Sequence, residues 1–150
     1  PAIVEEAVAV FAEFQRQRLS AVRDGAAGAR ARVRATTLAY SRIFRANTGM
    51  MRCLMGLGAD SAHYRDRFHD LNRDWNRRVA QAIALTRKDE TAEALLPTAY
   101  ALGGMIDEFL AQLYLRRDPA LAALAEDPEA VADLLSTLWC RAAYGTLPAD

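Results

Sequence analysis

From Tyr64 to Ile83 the apolar side chains Tyr64, Phe68, Leu71, Trp75, Val79 and Ile83 recur every three or four residues. That spacing lines one face of an α-helix. Arg65, Asp66, Arg67, Asp70, Arg73 and Asp74 fall off the line, as the solvent side of such a helix requires. No stretch alternates with period two and β-branched residues are sparse, so strands are not expected. The helical period continues in both directions, cut by glycine and proline into helix-length pieces. The chain therefore reads as an all-α helical bundle of about six helices and one extra turn. Its 150 residues suffice for one domain, residues 1–150, with a real core.

The boundaries follow from capping chemistry. Pro1 suits a first helical position, with Glu5 and Glu6 near the positive helix end. Val4, Val8, Phe11, Phe14, Leu19 and Val22 form the stripe of that helix, down to the breaker "DGAAG" at Asp24–Gly28. A second helix is expected from about Ala29 to Ala46, with Val33, Thr37, Tyr40 and Phe44 on one face. Asn47 and Thr48 can cap a short third helix, ended by Gly56 and Gly58. Asp60 or Ser61 caps the long fourth helix, to about Arg87. A fifth, from Asp89 to Arg116, is expected to kink at Pro97, where a proline removes a backbone bond and crowds the preceding turn. "RDPALAAL" and "EDPEAVADLL" each place an N-cap Asp before a first-turn Pro, and the second opens the last helix, Pro128 to about Tyr144.

Overall charge excludes little, because 19 basic and 19 acidic residues cancel. Its distribution is uneven: 12 Arg against 8 acids through Trp75, then 6 Arg and 1 Lys against 11 acids. The basic excess is spread along helices and reads as a solvated face rather than a nucleic-acid patch. Cys53 and Cys140 each sit in an apolar helical pattern, which points to buried free thiols in a reducing, cytoplasmic compartment. No apolar run reaches the roughly 18 residues needed to span a bilayer, and no membrane partner is expected.

The sequence shows no catalytic or metal-binding pattern. His63 and His69 lie six apart, about 240° around a helix, and cannot share a metal. No Glu-x-x-His pair occurs, so neither a di-iron site nor any other metal or cofactor is called. Asp107 and Glu108 interrupt the apolar "GGMIDEFLAQL" but point about 100° apart, a poor acid–base pair; Asp107 either faces a cavity or meets an arginine or solvent. Gly103–Gly104 in mid-helix reads as a close helix–helix contact. An enzyme is not expected.

The feature left over is softness. "FRANTGMMRCLMGLG" collects Met50, Met51, Met55 and Cys53 around Arg52, and methionine serves either an irregular core or an adaptable binding wall. Phe11, Phe14, Tyr40, Phe44, Met51, Met55, Phe68 and Trp75 together form either ordinary core or the lining of an apolar pocket. The fifth and last helices also carry much apolar surface: Leu102, Ile106, Leu110 and Leu113 on one, Leu134, Leu135, Leu138 and Trp139 on the other. These either close the chain's own core or form a four-helix, two-fold dimer interface, and a homodimer is expected.

"FRANTGMMRCLMGLGADSAHYRDRFHDLNRDWNRRVAQAIAL" resembles the central helices of the regulatory domain in TetR-type bacterial transcriptional regulators. "AYALGGMIDEFLAQLYLRRDP" and "EDPEAVADLLSTLWCRAAYG" resemble that family's last two long helices. The resemblance implies an effector-binding and dimerisation domain of a repressor, sensing a small, mostly apolar molecule. Carried over by helix and stripe position, Phe14, Tyr40, Phe44, Met51, Met55, Phe68, Asn72 and Trp75 are the candidate ligand-binding residues. Leu102, Ile106, Leu110, Leu113, Leu134, Leu138 and Trp139 are the candidate dimer interface. Arg52 is expected to tie helices together through a carboxylate such as Asp74. The family's N-terminal helix-turn-helix is not in this sequence, so operator DNA is a partner only through a domain before Pro1. The alternative from another class is a helical protein–protein interaction or scaffold domain without a ligand.

Overall fold

The computed structural model describes residues 2–56 and 62–145, and for 62–65, 67 and 68 the helical backbone without the side chains. The described residues form seven α-helices and no strand. α1 (Ala2–Asp24) and α2 (Ala29–Ala46) are joined through Gly28, whose φ of 84° favours glycine. α3 (Thr48–Gly56) and α4 (Ala62–Ala84) follow. α5 (Leu96–Leu110) runs into a π-helical stretch, Ala111–Arg116, and Arg117 ends it in the left-handed region at φ 52°. A 3-10 turn (Pro119–Leu121) leads into the single-turn α6 (Ala122–Ala125) and then α7 (Pro128–Tyr144). The expected signals at Pro1, Gly58, Asp60 and Ser61, and the side chains of His63, Tyr64 and Phe68, lie outside the described residues.

Both Asp–Pro starts hold. Asp127 accepts from the N–H groups of Glu129 and Ala130, and Asp118 from that of Ala120. Pro97 is a correction: it does not kink a helix from Asp89 but lies in the first turn of α5, where its missing N–H costs nothing. α4 stops at Ala84 rather than Arg87, and 85–95 fold into turns. Tertiary contacts fix that break. Leu95 is buried, Thr91 Oγ1 accepts from Ala94 N–H, and Arg87 donates to the Ala143 carbonyl.

The core has two parts. The first joins Val8 of α1, Phe44 of α2, Met51 and Leu54 of α3, Leu110 at the end of α5, Leu113 and Tyr114 of the π-helical stretch, and Val131 and Leu135 of α7. The second joins Ala80 and Ile83 of α4, Leu95, Ala99 and Leu102 at the start of α5, and Trp139 and Ala143 of α7. Ile106 packs against both. Gly103–Gly104 is a correction: a Cβ on Gly103 would make an ordinary contact 3.6 Å from Asn76 Oδ1 and one on Gly104 would meet open space, so neither position needs glycine for a close helix–helix approach.

The uneven charge is put to use between helices. The α2 arginines are not merely solvated: Arg34 reaches Glu129 and Asp133 at 2.9 and 2.6 Å, Arg42 reaches Glu129, and Arg45 reaches Glu126. Basic α2 and acidic α7 are thus complementary faces of one seam. All these side chains remain exposed, so solvent screening keeps each pair weak. Both cysteines are free, but Cys53 is exposed rather than buried and Cys140 is half-buried, its thiol pushed up by burial. No helix among the described residues is long and apolar enough to cross a membrane.

Candidate functional site

α3 sets the geometry around the methionines. Asn47 closes α2 rather than capping α3 with its side chain, since its Nδ2 donates to the Ile43 carbonyl. Its own carbonyl then accepts from Met51 N–H at 2.9 Å, which starts α3 almost without a break. α3 turns Met51 and Leu54 inward and leaves Cys53 and Met55 outside. Arg52 does not meet Asp74; its guanidinium lies 3.4 Å from the Leu115 carbonyl, against the π-helical stretch.

The eight candidate ligand residues separate into three groups. Tyr40, Phe44 and Met51 share the first core, with Phe44 and Met51 fully buried and the Tyr40 ring set edge-on to Phe44. Phe14 and Met55 are exposed at 51% and 44%. For Phe14 the reason is angular. At about 100° per residue, Val8, Phe11, Ala12, Gln15 and Leu19 share one arc of α1, and Phe14 lies about 120° from Val8. The buried member of the stripe is Gln15, whose Nε2 donates to Met51 Sδ at 3.1 Å. Asn72 and Trp75 sit on α4, half-buried, with Asn72 accepting from Asn76 Nδ2. Phe68 belongs to the side chains outside the described set.

Two surface clefts accompany this arrangement. One, of about 270 Å³, separates α1 from α4 and is lined by Glu13, Arg16, Leu71, Asp74, Trp75 and Arg78. Of the candidates whose side chains are described, only Trp75 lines it. The other, of about 260 Å³, runs between α5 and α7 and is lined by Met105, Phe109, Leu134, Leu135 and Leu138, with Glu108 and Gln112 at its polar rim. It overlaps the expected dimer face but changes its composition. Leu102, Leu110, Leu113 and Trp139 close the chain's own core, and Ile106 is packed beneath them. α7 turns Val131, Leu135 and Trp139 inward, so Leu134 and Leu138 are left exposed at 40% and 42%. Met105 and Phe109 join them, and neither stands out in the sequence.

One part-buried polar contact is new. Asp107 meets no arginine and keeps part of its surface in solvent, while Tyr40 donates its hydroxyl to Asp107 Oδ1 at 2.7 Å. Burial, then the neighbouring carboxylate, holds the Tyr40 phenol well above its ordinary value. Burial also pushes the Asp107 carboxyl up, an effect that the Tyr40 hydrogen bond partly offsets. No signal in the sequence pairs residues 67 positions apart. Among the described residues no group of His, Cys, Asp and Glu is placed to hold a metal. The chain matches no family model, no curated protein and no solved structure.

Proposed function

We propose that the chain is the effector-binding and dimerisation domain of a TetR-like transcriptional regulator, pairing through α5 and α7 and sensing a small molecule at the α1–α4 cleft. The observation that carries this reading is the apolar α5–α7 groove, with Leu134 and Leu138 exposed beside Met105 and Phe109. An exposed apolar patch with a polar rim marks an interaction surface, and two helices per copy make a self-complementary, two-fold face. A ligand would act by its differential affinity for two arrangements of the pair, which is all that any effector can contribute.

Light scattering of the unmodified protein at roughly tens of micromolar tests the pairing, since an interface of this kind buries about 1,200 Å² or more. A dimer is expected. Leu138→Asp is expected to return it to monomer with unchanged helix content, because the carboxylate would be desolvated at the interface without a partner. A monomeric unmodified protein overturns the reading. The complete burial of Phe44 and Met51 favours the scaffold alternative for the first core. A thermal-shift screen separates the two, because a ligand of the native state raises apparent stability by mass action.

A further inference from the structure

The α1–α4 cleft has an unusual composition for its size. Its volume of about 270 Å³ lies just under the range typical of ligand pockets, which limits any occupant to a small molecule. Into that volume it puts two guanidinium groups, two carboxylates and the side chains of Leu71 and Trp75. Arg16 is committed: Glu13 grips it through Nε at 2.9 Å and Nη2 at 2.5 Å, which fixes one wall. Asp74 and Arg78 are not. They lie one helical turn apart on α4, the spacing at which an acid and a base ordinarily pair. The Asp74 charge reaches Arg16 across the cleft and helps hold that guanidinium protonated, but no ion pair within 4 Å joins Asp74 or Arg78 to each other or to another described residue. Between them in sequence is Trp75, half-buried, offering a ring to the same cleft.

Resting on the proposed function above, we propose that this cleft binds a small aryl zwitterion, an aromatic α-amino acid or its close analogue. The ring packs on Trp75 and Leu71, the ammonium meets Asp74 and the carboxylate meets Arg78. The charge balance selects the class. A simple anion leaves Asp74 repelled and a simple cation leaves Arg78 repelled, so each mismatch acts against the wrong ligand. A dipolar head group satisfies both and bridges the roughly 5–6 Å between side chains one turn apart. The guanidinium–carboxylate half is the stronger, because that pairing can be bidentate.

Calorimetric titration of the unmodified protein with L-phenylalanine, phenethylamine and 3-phenylpropionate tests the class directly. L-Phenylalanine is expected to bind about tenfold or more tighter than either single-charge analogue. Asp74→Asn is expected to remove its advantage over the acid, and Arg78→Met its advantage over the amine. Both side chains are exposed and in no described ion pair, so both variants keep their helix content by circular dichroism. Equal affinity for the three compounds overturns the proposal, as does the absence of saturation by L-phenylalanine up to about 10 mM. If uncharged lipophilic compounds still raise the melting temperature, the ligand class has failed and the effector-binding reading stands. If nothing raises it, both have failed.

Discussion

The two halves of the core are built on different terms. The second half is close packing of small and branched residues: Ala80, Ala99 and Ala143 let α4, α5 and α7 approach, and Ile83, Leu95, Leu102 and Trp139 fill what remains. The first half is larger and softer. It seats Phe44, Met51 and Tyr114 together, and it carries polar groups with poor partners. Gln15 donates to a thioether, a weak acceptor, and the Tyr114 hydroxyl has no partner among the described residues. A core of the second kind specifies one arrangement, whereas the first tolerates several at small cost. Adaptability is therefore concentrated where α1, α3 and the π-helical stretch meet.

The hardest test of that contrast is Phe44→Ala. If the first half is packed core, losing this fully buried ring costs about 3–5 kcal/mol in urea unfolding. A loss well below that range, with an apolar ligand then restoring stability, would mean the ring borders a collapsible pocket. The next test sets one change in each half side by side. Ala99→Leu forces new volume into the tight half and is expected to cost about 1–3 kcal/mol. Gln15→Met replaces a weakly satisfied amide by a chain of similar length in the soft half, and is expected to be neutral or stabilising by up to about 1 kcal/mol. Equal costs for the two would erase the distinction between the halves.

Much of this architecture is legible in the residues. The Asp118–Pro119 and Asp127–Pro128 starts, the Asp24–Gly28 break and the face of α2 need only local chemistry, and each sits where capping and period place it. The misplaced features were decided by contacts between distant segments. A proline reads the same in the first turn of a helix as inside one. What puts Pro97 at a start is Leu95 sinking into the second core and Arg87 reaching Ala143. Gln15 looks like a solvent residue and Phe14 like a core residue, yet the arc of α1 that meets α3 reverses them. For the dimer face, a list of apolar residues on α5 and α7 could not say which ones the chain uses for itself. Trp139 goes inside and Leu138 outside because α7 must also pack on α2.

The smallest expected effect concerns the junction between the halves, where Asp107 follows Ile106 and accepts from Tyr40. Burial raises the Asp107 carboxyl above its unfolded value, so the folded chain holds this proton to higher pH than the unfolded chain does. Folding is therefore favoured by this group below about pH 4, where both states are protonated. The advantage is lost as pH rises through the raised folded value toward neutrality. Stability contributed at this position falls with rising pH, opposite to a carboxylate held by an arginine. Asp107→Asn keeps an acceptor for the Tyr40 hydroxyl and removes the titration. The variant is expected to match or exceed the unmodified protein at pH 7, within about 1 kcal/mol because its amide needs an acceptor of its own. Its stability difference from the unmodified protein should shrink or reverse as the buffer is taken down to pH 4. Urea midpoints measured across that interval check the sign, and parallel curves for the two proteins would mean that Asp107 is not buried in charged form at neutral pH. In that case the boundary between the soft and tight halves is open to water.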